Sequence, residues 1–473
     1  MALVLLSALA PATTAAAAVS GESVVVLAGS TADAAAAVRS AGGTVTRTLD
    51  VVHGVSARVR TATLAANHDV VVVPDVRMHV TSEKYEPTRE SPQFASLHVG
   101  RQWDKKAGED VGVALVDTGV ADVSGLKGKV VRAADFSGEG DGVDRYGHGT
   151  FMAGLIGAKD FGVAPGADII SIKVAGRDGS TTLGQVVAGI GFAIDNAEDY
   201  GIRVLNLSFG VDMPMAWRGD PLSAAVEAAW ASGITVVTSS GNDGAGTVTA
   251  PGRDPWVLTV GATDTQGTAT TSDDAVADFS GSGTSARQRK PEVLAPGVDV
   301  VSLRAPGSYL DQAYPAARQG KNFFRGSGTS MSTALTAGAA AVVLWAHPEA
   351  TPDDVKGALA TSADDLRGTK AGALNVGAAL NAEADPSWWQ HLPVADGTDT
   401  SYGPLDWMPW ALEGNWSGTR WSGTRWSGTR WSGTRWSGTR WSGTRWSGTR
   451  WSGTRWSGTR WSGTRWSAAE WGV

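Results

Sequence analysis

Ser330 stands in the run GSGTSMSTALTAG, between a glycine-rich approach and a long stretch of small residues that reads as a helix. A serine hydroxyl is a poor nucleophile at neutral pH, and it reacts only beside a base that takes its proton and donors that hold the resulting oxyanion. A helix start supplies such donors, because its first N–H groups are unpaired and its dipole is positive there. The same residues also suit an ordinary N-cap, so the chemistry depends on partners elsewhere. Three present themselves in order. VGVALVDTGV is an apolar strand over 111–116 that delivers Asp117 at its carboxyl end, where a turn or capping role is the plain alternative. DRYGHGTFMAGLIGA holds His148 between Gly147 and Gly149 at the head of a helix, a context that lets a backbone or substrate come close. His53, His68, His79, His98, His347 and His391 lack this setting and read as surface or packing residues. TVVTSSGNDG places Asn242 just after a buried strand over 234–238; its amide can donate to a developing oxyanion, or it is simply a turn residue.

The elements that must position these residues alternate. DIISIKV, TTLGQVVAGIGFAIDNAEDY, IRVLNLS, PLSAAVEAAWASG and ITVVTSS read as strand, helix, strand, helix, strand. Such alternation predicts parallel strands with crossover helices, a doubly wound α/β sheet whose chemistry gathers at the carboxyl ends of its strands. Asp117, Ser208 and Asn242 all fall at such ends. Upstream, residues 21–82 carry a separate β-α-β-β-α-β pattern, with VVVVPDVRMHV as its last strand, and this predicts a small ferredoxin-like α+β unit. SEKYEPTRESP after it is polar and broken by proline, an exposed linker.

Together these residues resemble the subtilisin-like serine peptidases, or subtilases, over about 91–382. The order Asp117, His148, Ser330 is that of subtilisin. The resemblance implies a catalytic triad of these three, with Asn242 and the Ser330 N–H as the oxyanion hole, and a polypeptide substrate. LNLSFG is similar to the segment that pairs with the substrate main chain, so Ser208, Phe209 and Gly210 are implied as one wall of the primary specificity pocket. Ser239, Ser240 and Gly241 are implied as the opposite wall. TVTAPGRDPWVLTVGAT resembles the stretch that closes the pocket floor and puts Thr249 where many relatives have glycine; a threonine there fills volume and disfavours large aromatic side chains before the scissile bond. DFSGSG and PEVLAPGVDVVS resemble the late strands, and ALNVGAAL the closing segment. The 21–82 unit is similar to the family's inhibitory propeptide. This implies an intramolecular inhibitor that assists folding and is removed by self-cleavage between about Met78 and Ser91; an ordinary accessory domain is the alternative.

Departures from the family pattern are also visible. Ala334 and Leu335 replace its proline and histidine after the serine, within the helix. GAKDFGVAPGADII lacks the Asn-rich insertion that cages calcium in several relatives, so no metal site is carried over. The acidic pairs Asp273-Asp274 and Asp353-Asp354 are read as turn and helix-start residues. The expected chemistry requires no cofactor.

The chain of 473 residues has no cysteine, which excludes disulfide staples and leaves stability to core packing. MALVLLSALAPATTAAAAVS is expected to be a secretory leader cleaved near Ala18, so a secreted or envelope-associated, monomeric protein is expected. The apolar helix over 331–345 is too rich in Ala, Gly, Ser and Thr for a transmembrane span and suits a buried central helix. After residue 382 the composition changes to a Pro-, Gly- and Trp-rich linker (383–415) and then to ten copies of WSGTR from Trp416 to Arg465, within a tail reaching 473. The net charge is −7, and it is −17 with the ten repeat arginines set aside: an acidic body with a cationic, aromatic tail. Five-residue spacing fits neither a one-faced helix nor a strand, which leaves a low-complexity tail or a solenoid of turns. Tryptophan stacks on sugars and arginine pairs with anions, so a cell-wall glycan or polyanion is the expected tail ligand. A catalytically idle fold that only displays this tail is the alternative function.

Overall fold

The computed structural model describes residues 21–64, 70–75, 77–80, 93–99, 105–211, 217, 220–285 and 288–382. The expected leader, most of the processing linker, and the linker and repeat tail after residue 382 lie outside the described residues.

The first unit runs β1 (Glu22–Leu27), α1 (Thr31–Ser40), β2 (Thr44–Leu49), β3 (Gly54–Val59), α2 (Thr61–Leu64) and β4 (Val71–Pro74). Its strands lie in the order β2-β3-β1-β4, with all three pairings antiparallel. The side chain of Ser30 caps α1 by accepting from the Asp33 N–H. The sequence reading of VVVVPDVRMHV as one strand is corrected by the structure. The strand stops at Pro74: Asp75 still donates its N–H to the Ser23 carbonyl, but its carboxylate is drawn to the start of the helix Leu183–Asp195. The chain then leaves the unit as β5 (Arg77–Val80).

The larger unit begins with β6 (Gly112–Asp117) and β7 (Val130–Asp135), followed by α3 (His148–Gly157), β8 (Asp168–Lys173), β9 (Ser180–Thr182) and α4 (Leu183–Asp195). Next come β10 (Ile202–Leu207), β11 (Phe209–Gly210), α5 (Pro221–Ala231), β12 (Thr235–Ser239), β13 (Leu258–Asp264) and β14 (Ala275–Val276). β15 (Val293–Pro296), α6 (Thr329–Ala346) and β16 (Gly372–Ala373) close it. The central sheet has nine strands in the order β16-β15-β13-β12-β10-β6-β8-β7, all parallel, with β14 added antiparallel on β13. β6 shows why these strands read as continuous apolar runs. Val113 and Leu115 enter a core with Phe151 and Met152 of α3 and Leu335 of α6, whereas Ala114 and Val116 enter a second core with Val186 and Ile190 of α4 and Leu222 and Val226 of α5. Successive side chains of a strand point to opposite faces, and here both faces are covered by helices. The chain runs from β6 to the edge strand β7, back to β8 between them, and then to β10 on the other side of β6. That reversal puts the topological switch at the carboxyl ends of β6 and β10, where Asp117 and Ser208 sit. DFSGSG, expected as a late strand, turns at Asp278 and Phe279, and only its last residue, Gly283, enters a strand. Gly281 donates its N–H to the Gly241 carbonyl and lies so close to Ser240 that a Cβ would meet the Ser240 carbonyl oxygen at 2.4 Å.

The two units share a core. Val25, Leu27, Leu49, Val52 and Val73 pack with Val186, Val187, Ile190 and Trp230 of the larger unit. Each fully buried aliphatic side chain here contributes about 1.5–3 kcal/mol. Asp75 adds a polar lock: its carboxylate accepts the Gly184 N–H at the start of α4, at 2.9 Å. A carboxylate there satisfies an orphan donor and opposes the positive end of the helix dipole. β5 then enters as the middle strand of a small antiparallel sheet, β11-β5-β9.

Candidate active site

Asp117 ends β6 and His148 begins α3, and the fold brings them into direct contact. His148 Nδ1 lies 2.8 Å and 2.9 Å from the two carboxylate oxygens of Asp117, and both side chains are wholly buried. In this geometry Nδ1–H donates to the carboxylate, which leaves the lone pair on Nε2. His148 Nε2 is buried and has no hydrogen-bond partner in the structure, so the ring is held at one nitrogen and available at the other. Asp117 Oδ1 also accepts the Thr118 N–H at 2.7 Å, which fixes the carboxylate plane.

Ser330 is the second residue of α6, and it too is buried. The helix has no side-chain cap of its own from Gly328. Asn242 supplies that cap from the turn after β12: its Oδ1 accepts the Thr329 N–H at 3.0 Å and the Thr329 hydroxyl at 2.9 Å. With the carbonyl side of the amide so occupied, Nδ2 faces away from Thr329, buried and without a partner. A buried donor left unpaired costs free energy until an acceptor arrives, which is the condition expected of a preorganised oxyanion donor.

The residues expected as pocket walls are assembled around this helix start. The Ser208 hydroxyl reaches the Ser330 carbonyl at 3.5 Å and accepts from Asn206 Nδ2 at 3.1 Å. Phe209 turns its ring into the second core, fully buried, so it offers the cleft its main chain alone. Gly210 pairs through its backbone with His79 of β5. Val211 and Ala250 exchange both backbone hydrogen bonds, at 3.1 Å and 2.9 Å, joining the 208–211 segment to the stretch that carries Thr249. On the other side Ser239 ends β12, Ser240 accepts the Thr249 N–H at 3.2 Å, and a Cβ built on Gly241 would meet Thr249 Oγ1 at 2.9 Å. Thr249 therefore stands against the Ser240-Gly241 wall, and its hydroxyl has no partner. Ala334 and Leu335 are buried within α6. Asp353 and Asp354 occupy the first turn of the helix Pro352–Thr361, with Asp354 completing a capping box with Thr351.

Three residues that sequence reasoning passed over hold the site together. The start of α3 has no side-chain cap at Gly147, whose φ of 112° belongs to glycine. Asp144 and Thr118 take that function from outside the helix. Asp144 accepts the N–H groups of Gly147 (2.7 Å) and Thr150 (2.8 Å) and the Thr118 hydroxyl (2.8 Å), while Thr118 Oγ1 accepts the Gly149 N–H at 2.9 Å. Burial pushes the Asp144 carboxyl above its ordinary range, against the pull of these hydrogen bonds. Lys173, wholly buried at the end of β8, donates to the carbonyls of Thr118 (2.8 Å) and Ala175 (3.0 Å) and lies 3.3 Å from Glu139. An acidic residue four positions before a glycine-flanked histidine was the available signal for Asp144; nothing local announces Lys173. Asp144→Ala strands several buried donors at about 1–3 kcal/mol each, partly relieved by rearrangement. A net loss of about 3 kcal/mol should lower the thermal midpoint by roughly 4–5 °C in a protein of this size. Turnover should fall at least tenfold, since His148 loses its register. Calorimetry paired with a peptide assay checks both; an unchanged midpoint would mean that the loop holds its shape unaided.

Among the described residues no group of three or more His, Asp or Glu is placed to hold a metal ion. One described helix, Thr329–Ala346, is long and apolar enough to cross a membrane, but 89% of it is buried inside the protein as the central core helix.

Comparison with known proteins bears on family and fold. Residues 108–380 match the model of the subtilase family. Serine protease AprX of Bacillus subtilis (strain 168) is 38% identical over 301 residues, covering 60% of this chain and 68% of that protein. Subtilisin Savinase of Lederbergia lenta is 34% identical over 283 residues, covering 59% of this chain and 91% of that protein. Among solved structures, fervidolysin from Fervidobacterium pennivorans, a keratinolytic enzyme related to subtilisin, superposes with a TM-score of 0.62 at 24% identity. That likeness covers 79% of this chain and 63% of that one, and it bears on the fold alone. With more than half of its length matching the family model and a subtilisin-like α/β fold around its central sheet, the chain belongs to the subtilase family of serine peptidases.

Proposed function

We propose that the protein is a secreted endopeptidase that cleaves polypeptides through an acyl-enzyme. The observation that carries this reading is the buried His148–Asp117 pair with Nε2 unpartnered, at the head of a helix packed against α6, whose start bears Ser330 and meets an Asn242 amide with an unpaired nitrogen. In the proposed mechanism Ser330 Oγ attacks the scissile carbonyl carbon as its proton passes to His148 Nε2. Asp117 holds the ring and offsets the imidazolium charge. The oxyanion accepts from Asn242 Nδ2 and the Ser330 N–H. Collapse expels the amine, which takes the proton from His148, and water then releases the acid by the same route. Ser208, Gly210, Ser239, Ser240 and Gly241 would bound the pocket for the residue before the scissile bond, with Thr249 restricting it to small side chains.

We further infer that residues 21–80 act as an intramolecular inhibitor removed by self-cleavage. β5 supports this: Arg77, Met78 and His79 pair with Thr182, Thr181 and Ser180, and His79 and Val80 pair with Gly210 and Phe209. That is the extended path, hydrogen-bonded on both edges, that a substrate main chain takes in a β-type cleft. Ser208, adjacent to the Phe209 that pairs with Val80, touches Ser330, so the cut is expected within a residue or two after Val80, inside the 78–91 range. The WSGTR tail is proposed to bind an anionic envelope polymer.

One experiment tests these points together. The secreted protein is treated with a phosphonate that labels activated serines and is then examined by peptide mass spectrometry. Expected are a label on Ser330, a new amino terminus between Met78 and Ser91, and a retained tail. A label elsewhere, or none on protein that cleaves peptides, removes Ser330 from the mechanism. An intact precursor that is active rejects the inhibitor reading. If forms with and without residues 416–473 bind anionic cell-wall material equally, the tail has no binding role.

A further inference from the structure

We infer that Tyr309, stacked on Tyr146, forms an aromatic shelf that binds the side chain of the second substrate residue before the scissile bond, giving the enzyme a preference for large apolar groups there. The inference rests on the proposed peptidase reading and adds to it a specificity determinant from a separate loop.

Tyr309 is 53% exposed, the most exposed large apolar or aromatic side chain among the described residues. Its ring lies parallel to that of Tyr146, with centroids 5.6 Å apart and planes 7° from parallel. The stack is held from below. Tyr309 N and Leu310 N donate to the carbonyls of Arg145 and Tyr146, at 2.9 Å and 3.0 Å, so the 305–317 loop is stitched to the turn that presents His148. The loop is braced by Asp311, whose carboxylate accepts from Arg304 Nη2 (2.8 Å), Arg318 Nε (2.8 Å) and the Gly307 N–H (2.9 Å). An exposed aromatic ring held this firmly loses little freedom on binding, so the contact it makes is not offset by ordering.

The position of the shelf identifies its occupant. Tyr146 is two residues before His148, and its ring lies against Gly179, where an added Cβ would come within 2.7 Å of it. Gly179 precedes Ser180, the residue that pairs with His79 of β5. A polypeptide following the path of β5 leaves the two-sided pairing beside Gly179 and then reaches Ser330. Side chains alternate across an extended strand. If the residue at the scissile bond enters the pocket between the 208–211 and 239–241 walls, the one before it points to the opposite face, which we assign to the Tyr146 ring beside Gly179. Aromatic and large aliphatic groups gain area and ring contacts on such a surface, and glycine gains none.

The test compares two chromogenic anilides, Ala-Ala-Phe-Ala and Ala-Ala-Gly-Ala, with alanine at the bond because Thr249 narrows the pocket. The unsubstituted enzyme is expected to favour the Phe peptide in kcat/KM by roughly tenfold or more. Tyr309→Ala should reduce that ratio about three- to tenfold by its effect on the Phe peptide, leaving the Gly peptide unchanged. Tyr309→Phe, which keeps the ring, should retain the preference. An unchanged ratio in Tyr309→Ala, or an equal fall for both peptides, overturns the shelf while leaving the peptidase reading intact. Failure of the unsubstituted enzyme to cleave any peptide overturns both.

Discussion

Ser330→Ala is expected to abolish peptide hydrolysis, with turnover down by about a millionfold, the loss known for the equivalent change in subtilisin itself and carried over through family membership. No neighbouring group can substitute. The seat at the start of α6 is buried, and the residue that follows Ser330 is Met331. The variant should still fold, because removing one hydroxyl leaves the Asn242–Thr329 cap and the packing of α6 in place. Produced without an active copy, it should stay at precursor length, with residues 21–80 covalently attached and β5 in the cleft. The measurement is a peptide assay with intact-mass analysis of purified protein. Residual hydrolysis within a hundredfold of the original would assign the nucleophile elsewhere, and efficient maturation of the variant alone would assign the cut to another enzyme.

Asn242→Ala is expected to lower turnover by roughly a hundred- to a thousandfold with KM nearly unchanged, again the magnitude found in subtilisin. The separation of kcat from KM follows from geometry. Nδ2 has no acceptor in the resting site, and the oxyanion forms only as the carbonyl becomes tetrahedral, so the bond exists mainly in the transition state. This position has a second role, because Oδ1 caps α6 through Thr329. Asn242→Ala should therefore also cost about 1 kcal/mol of stability. Asn242→Asp keeps the cap and loses the donor, so it should restore stability but not turnover. Thermal melts alongside steady-state kinetics distinguish the two roles. Equal turnover in both variants and the parent would remove Asn242 from the mechanism.

Several features were legible in the chain itself because each has a local signature. Strands buried on both faces must be apolar throughout, so β6, β8, β10 and β12 announce a parallel sheet, and the helices between them announce the crossovers. Asp117, His148, Asn242 and Ser330 each occupy a strand end or a helix start, where glycine and small polar residues mark the turn. The β-α-β-β-α-β succession of residues 21–74 was likewise visible as alternating periods.

What the chain could not disclose depends on direction and on contacts between distant segments. The amide of Asn242 has two chemically different ends, and only its contact with Thr329, 87 residues away, decides which one faces the cleft. Phe209 resembled part of a substrate-pairing segment, but the core took its ring, which no local pattern around it announced. VVVVPDVRMHV read as one strand, since neither half of it shows that Asp75 is drawn to the start of α4 and that the rest finds edges on β9 and β11. Asp144, Lys173 and the Tyr146–Tyr309 stack act across 26 to 163 residues of chain. Such pairings form only after the sheet has paid the entropy of closing those loops, so composition and period carry no trace of them. The residues able to do chemistry are a property of the sequence by itself, whereas the orientation of each group toward the others belongs to the tertiary structure, because a hydrogen bond has a direction that no spacing along the chain records.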